Sequence, residues 1–374
     1  MNTLDYIRWR SDITMKYAPF NDVDNLIVGQ IPYLDWEGVL DQGETMTLGQ
    51  AWEGYCRRHA GEEIPADDLI RKDAEELISL CADSVRYRDI VLFDYVKEHD
   101  REQEKQFCAL TMKLPDGTYY VAYEGTDITI LGWKENFNMS FMCPVPSQVA
   151  AAEYLKKQAS ARFRRFRVGG HSKGGNLAVY AAVTLNKPDK IIAVYNNDGP
   201  GFPDEFVKSG AYQNMKPKMK TFLPVSSVVG RLLNNETDVL IVHSNNNSLV
   251  WQHIPNNWEV EKDGVSTLSA NSTESQFLQE VFNSWNNQLN YEQKVVFMNT
   301  IYDCMVSLGI RTSGELYNNP AQSMARIALK LRSYPEATRK TVREVIGVLM
   351  KCNVHTFYEQ FLGSRIPLPR DLFS

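Results

Sequence analysis

The sequence predicts an α/β fold: a mainly parallel sheet with helical regions before and after it. Three observations carry this. Between residues 105 and 262, short apolar runs alternate with helical stretches, the mark of crossover connections between parallel strands. From about residue 272 apolar residues recur at helical spacing. Residues 1–104 mix charges with aromatics, as short helices and loops do. The expected divisions of the 374 residues are therefore an N-terminal helical region at 1–104 packed on the core, the core itself at 105–262, and a C-terminal helical region at 263–374.

Within the first region, Asp67-Asp68 and Asp73-Ala74-Glu75-Glu76 read as solvated helix faces. Phe107 to Lys113 and Tyr119 to Tyr123 read as the arms of a hairpin around Leu114-Pro115-Asp116-Gly117, where Pro presets φ and Gly accepts a positive one. A helix follows Ser147 through Leu155. Phe166 to Gly169 is a strand leading into a helix at Asn176 to Val183. Ile191 to Tyr195 is a strand leading into a Gly/Pro loop. Lys220 to Leu223 and Val239 to His243 complete the strands. Farther on, Phe277, Leu278, Val281, Phe282, Trp285 and Leu289 keep a 3.6-residue period. Asn290 with Gln293 forms a capping box, and Pro320 and Pro335 suit first-turn positions. Two basic clusters, Arg162 to Arg167 and Arg326 to Arg343, read as solvated faces.

Composition excludes several classes. Forty Lys and Arg against 46 Asp and Glu give a net charge of −6, which argues against nucleic acid as partner. No apolar run approaches the roughly 18 residues of a transmembrane segment. Met1 to Asp12 alternates charged and apolar residues, unlike a signal peptide. The six cysteines (56, 81, 108, 143, 304 and 352) never stand at C-x-x-C spacing. No metal site, cofactor or disulfide framework is expected, and a reducing cytoplasm is the simplest location.

The chemistry is carried by Gly170-His171-Ser172-Lys173-Gly174, a G-x-S-x-G sequence between a strand and a helix rich in small residues (Gly175, Ala178, Ala181, Ala182). Such a turn lifts the serine hydroxyl out of the sheet's end, and the glycines leave room for it. The following helix N-terminus offers N–H groups to a developing oxyanion. Ser172 is therefore the candidate nucleophile of an α/β-hydrolase core. Lys173, through its backbone N–H, is one candidate oxyanion donor. Thr126 is the other, in the upstream segment Tyr123-Glu124-Gly125-Thr126-Asp127.

These stretches resemble the class 3 lipase family of α/β-hydrolases. The matching positions are Tyr123-Glu124-Gly125-Thr126, Trp133, Gly170 to Gly175, Asp198-Gly199-Pro200-Gly201 and His253, within about residues 105–262. The chain as a whole also resembles an uncharacterised bacterial hydrolase-like family, through Leu4-Asp5-Tyr6, Trp9-Arg10 and Phe20 to Leu26. The sequence departs from the lipase pattern twice: Glu124 stands where the family has Arg, and Lys173 where it has Leu.

In this chain order the acid and the histidine follow the serine. Among the six histidines, His253 is expected as the base, in a loop beyond a late strand, with His243 as the alternative. The class 3 layout puts the acid after the strand two beyond the serine, but Pro224 to Gly230 holds no carboxylate. Asp198, at the end of the preceding strand, is expected instead, with Asp238, Asp204, or a dyad oriented by a neutral group as alternatives. The function expected is a serine hydrolase cleaving carboxylic esters or thioesters of lipid-like or acyl small molecules. The alternatives are a hydrolase-fold binding or scaffold protein without turnover, and a peptidase on the same fold. Phe137, Met139, Phe141, Met142, Pro144 and Val145 are expected either as buried crossover core or as an acyl pocket or lid.

Overall fold

The computed structural model describes residues 1–351 except 42, 65–67, 247–250 and 269–272. Its centre is a mixed sheet whose strands lie side by side in chain order: β1 (Thr45–Thr47), β2 (Val91–Asp100), β3 (Lys105–Lys113), β4 (Tyr119–Tyr123), β5 (Phe166–His171), β6 (Ile191–Asn197), β7 (Met219–Pro224), β8 (Val239–Val242) and β9 (Thr267–Leu268). β1 to β4 pair antiparallel, β4 to β8 pair parallel, and β9 closes the edge antiparallel. The expected hairpin is β3–β4, with Lys113 opposite Tyr119.

The sheet begins earlier than residue 105, because β1 and β2 join it from the first region. β2 escaped the sequence reading for a physical reason. Its second half, Lys97-Glu98-His99-Asp100, is half-exposed and charged, so the strand lacks the apolar run of a buried one. β4 is buried on both faces. Tyr120 and Ala122 face one core, and Val121 and Tyr123 face the other.

The helices cover both faces. α1 (Thr3–Arg10), α2 (Asp22–Val28), α3 (Leu48–Arg58) and α4 (Leu69–Asp83) share one core with Leu110, Met112, Tyr120, Tyr195, Phe222 and Val242 of the sheet. Asn2, Asn21 and Thr47 cap α1, α2 and α3 through capping boxes, which satisfies N–H groups the helices cannot bond themselves. On this face Arg86 Nε donates to Asp24 Oδ1 at 2.7 Å, in a fully buried pair. The start of the chain returns to the sheet's far side: Val260 N–H bonds Met1 O at 2.8 Å, and Thr3 Oγ1 bonds Asn256 Oδ1 at 2.7 Å.

The other face is covered after β4 by α5 (Ile130–Asn138) and α6 (Pro146–Gln158), and after β5 by α7 (Lys173–Leu185). The short α8 (Asp204–Val207) and α9 (Gly210–Met215) lead to β7. α10 (Thr273–Gln288), α11 (Tyr291–Ser307), α12 (Ser313–Asn318), α13 (Pro320–Leu331) and α14 (Glu336–Lys351) form the C-terminal layer. Of the periodic residues, Val281 and Trp285 in α10 and Leu289 just after it are buried, whereas the side chains of Phe277 and Leu278 lie outside the described residues. Asn290 and Gln293 make the expected capping box of α11, and Pro320 opens α13.

This layer docks on α5. Ile130 is buried with Cys304, Met305, Ile310 and Ile327, and the ring of Phe137 lies 5.6 Å from Trp285 and 6.1 Å from Phe297. Ile130 N–H bonds Arg311 O at 3.0 Å beside a bridge between Thr129 and Thr312. Phe137 and Phe141 thus stand among helix-packing aromatics, and Met139 and Val145 in the core beside α6 and α7. Among the described residues no helix is long and apolar enough to cross a membrane.

Candidate active site

Parallel strands that run in register end at one edge, and loops leaving that edge can converge. Thr126 follows β4, Ser172 follows β5, Asp198 follows β6, and His253 closes a 3₁₀ turn beyond β8.

Ser172 links β5 to α7 with φ +57° and ψ −131°, a region that few non-glycine residues occupy. Packing holds it there. Its N–H bonds Asn197 O on β6 at 2.9 Å, and its carbonyl accepts Gly175 N–H at 2.9 Å. A Cβ on either Gly170 or Gly174 would overlap the Tyr123 carbonyl oxygen, so the elbow closes only with glycine at both. Among the described residues Ser172 Oγ makes no hydrogen bond. The N–H of Lys173, in the first turn of α7, likewise has no partner among them. It lies at the positive end of the helix dipole.

Asp198 is fully buried, also with a positive φ of +54°. Its Oδ1 accepts hydrogen bonds from Ser227 Oγ and from Gly230 N–H, the latter at 3.2 Å. Its Oδ2 stands 2.7 Å from His253 Nδ1. A carboxylate only accepts, so His253 Nδ1 carries a proton, and in the neutral imidazole the lone pair then lies on Nε2. The segment Pro224 to Gly230, which lacks a carboxylate, instead supplies two donors that orient the carboxylate of Asp198.

The other candidates lie elsewhere. Asp238 stands at the start of β8, the opposite end of a parallel strand from the site. Asp204 bonds Lys208 and Asn234 at the surface. His243, just past β8, has Nδ1 2.8 Å from Glu259 Oε2 and a side chain 44% exposed.

The strand end of β4 lies against the elbow, since a Cβ on Gly125 would stand 3.2 Å from Ser172 Cβ. Thr126 Oγ1 is buried without a hydrogen-bond partner. Beneath it runs a polar network that absorbs both departures from the lipase pattern. Lys173 turns its ammonium away from the serine: Nζ bonds Gln106 O at 2.6 Å, Gln106 Oε1, and Glu135 Oε2 at 3.1 Å, and both charged side chains are fully buried. Glu135 also accepts from the N–H groups of Gln106 and Ser147, at 3.1 and 2.8 Å. Gln106 Nε2 in turn donates to Glu124 Oε2 at 3.4 Å and to Gly125 O at 3.3 Å. Burial, with a smaller contribution from Asp127, pushes the Glu124 carboxyl up to about 8, so it is largely protonated at neutral pH.

Sequence reasoning missed four contributors: Tyr33, Gln106, Glu135 and Ser227. The first three reach the site from elements far away in the chain, with no local motif to mark them. Tyr33 Oη accepts Gly125 N–H at 3.1 Å and lies 3.1 Å from His171 Nδ1. His171 Nε2 lies 2.6 Å from His253 O. Burial holds the His171 pKa well below its usual value, so this imidazole is neutral.

The model of the Mbeg1-like family matches residues 81–303, a span that contains Thr126, Ser172, Asp198 and His253. No curated protein matches the chain in sequence. Two solved structures align with it at 13% identity. One is a Rhizomucor miehei lipase in its propeptide complex, with a TM-score of 0.33 over 51% of this chain and 66% of that one, so the chain spans just under two thirds of its length. The other is M37 lipase, with a TM-score of 0.35 over 66% of this chain and 82% of that one.

Proposed function

We propose that this chain, which belongs to the Mbeg1-like family, is a lipase-like serine hydrolase cleaving carboxylic ester or thioester bonds of acyl or lipid-like small molecules. The observation that carries the reading is the 2.7 Å contact between His253 Nδ1 and the buried Asp198 carboxylate, at the sheet edge where Ser172 occupies a strained elbow. An imidazole held in this tautomer has its basic nitrogen free for a hydroxyl.

In this mechanism His253 Nε2 accepts the Ser172 proton as Oγ attacks the substrate carbonyl. Ser172 Oγ and His253 Nε2 share no hydrogen bond here, and the transfer requires one to form when substrate seats, as catalytic hydrogen bonds often do. Asp198 stabilises the imidazolium without taking its proton. The oxyanion is met by the N–H of Lys173 and by Thr126, through its N–H or its unpartnered Oγ1. Collapse returns the proton to the leaving alcohol or thiol and leaves an acyl group on Oγ. Water, deprotonated by the same imidazole, releases the acid and restores the serine. The cytoplasm remains the location we propose.

Fluorophosphonate labelling tests the reading. The expected result is a covalent adduct on Ser172 that Ser172→Ala abolishes while the protein stays folded. A folded wild-type protein that neither labels nor hydrolyses p-nitrophenyl esters would overturn it in favour of a binding role. Faster cleavage of peptide anilides than of esters would overturn the substrate class.

A further inference from the structure

We propose that His171 is a positioning residue for the base. By donating a hydrogen bond to the main chain of His253, it ties the base to the nucleophile's own strand. The inference rests on the hydrolase reading and goes beyond it, because His171 touches neither substrate nor reacting atoms in that mechanism.

The hydrogen-bond roles follow from the partners. The His253 carbonyl can only accept, so at 2.6 Å His171 Nε2 must carry the proton. His171 Nδ1 is then an acceptor, and the Tyr33 hydroxyl at 3.1 Å supplies its hydrogen in preference to the His171 carbonyl at 3.4 Å. The Tyr33 oxygen accepts Gly125 N–H at 3.1 Å. A single directed chain therefore runs from Gly125 through Tyr33 and His171 to the carbonyl of His253. It joins the segment before Thr126, the residue before Ser172 and the base. Burial keeps His171 neutral, which preserves the lone pair this order requires.

The His253 turn is fastened one carbonyl at a time. Trp251 O accepts from Asn257 Nδ2 at 2.9 Å, and Gln252 O from Trp258 Nε1 at 2.7 Å. Gln252 Oε1 accepts Ser226 N–H at 3.0 Å. The bonds at 251 and 252 hold the turn to its own surroundings. Of these three carbonyls, the one at His253 is the one bonded from β5, whose end precedes the serine. The two imidazole rings lie 4.4 Å apart, so the contact also limits how far the base can swing. Asp198 fixes the ring of His253, and His171 fixes its backbone.

The test compares His171→Leu, which removes the donor, with His171→Gln, whose amide can still reach the carbonyl. Both are measured for fluorophosphonate labelling rate at Ser172, for kcat and KM on a p-nitrophenyl ester from pH 5 to 9, and for Tm. The expected result is a fall in kcat and labelling rate of roughly ten- to a hundredfold in His171→Leu, the cost typical of a slightly misplaced catalytic group. KM should stay within about threefold. His171→Gln should recover most of the loss even where its Tm is no higher than that of His171→Leu. Labelling at the wild-type rate in folded His171→Leu would overturn the positioning role alone. Equal losses in both variants, tracking Tm, would reduce it to packing and overturn it too. A wild-type protein that never labels would bring down the hydrolase reading and this role together.

Discussion

Lys173→Met is the most demanding test of the network under the elbow. The substitution keeps the backbone N–H, the helix and most of the side-chain volume, but leaves Glu135 without its cation. Breaking one side of a buried ion pair typically costs about 3–5 kcal/mol, mainly through the stranded charge. Glu135 keeps its two backbone N–H donors, from Gln106 and Ser147, so the low end, about 3 kcal/mol, is expected. Removing both charges in Lys173→Met/Glu135→Gln strands no charge, although one of the two N–H donors then faces an amide NH2, and it should recover at least about 1 kcal/mol of that loss. Urea unfolding of the four proteins of the cycle measures the coupling directly. Fluorophosphonate labelling of the fraction still folded should remain, because the proposed oxyanion donor is main-chain. A single-variant cost below about 1 kcal/mol, or a double variant no better than the sum of the singles, would refute the claim that Lys173 and Glu135 stabilise each other.

Two further outcomes follow from the site. Asp198→Asn should cut ester turnover by on the order of 10²–10⁴, because the amide can favour the wrong imidazole tautomer, whereas Asp238→Asn should leave kcat within about twofold. Glu124 makes stability pH-dependent. Its folded pKa of about 8 lies above the ordinary glutamate value, so between the two the native state holds a proton that the unfolded state has lost, and stability falls as pH rises through that window. Glu124→Gln should flatten that decline, by up to roughly 1 kcal/mol per pH unit, in urea unfolding between pH 5.5 and 7.5. A wild-type protein equally stable at both pH values would remove the buried acid from the account.

The sequence spoke most clearly where chemistry and local geometry coincide. Gly170 and Gly174 are demanded by the turn itself, and Leu114 to Gly117 by the hairpin, so both were legible without any partner in view. The contact of Asp198 with His253 could be anticipated only from chain order, because nothing local says that two loops 55 residues apart will meet. β2 was illegible because half of it is solvated. The buried polar contacts were illegible for another reason. Lys173 looked like a charged intruder beside the serine until Gln106, 67 residues upstream, and Glu135, 38 residues upstream, supplied its partners. Glu124 was the second apparent anomaly, and it bonds the same glutamine. The two departures from the lipase pattern belong to one network, which no reading of either position alone could reveal.

Because neighbours in the sheet are also neighbours in the chain, the sheet can be assembled vectorially. Each strand leaving the ribosome can dock on one already made, and N-terminal parts fold first during synthesis. The residues of the site emerge in the same order, Thr126, Ser172, Asp198 and finally His253. The segment just after the His253 turn bonds residues before and in α1, through Met1 to Val260 and Thr3 to Asn256. A nascent chain stopped short of residue 256 would carry the elbow but neither bond of that clasp. Competence for the proposed chemistry would then be conferred near the end of translation of the core, when that late-made turn seats beside α1, made long before it.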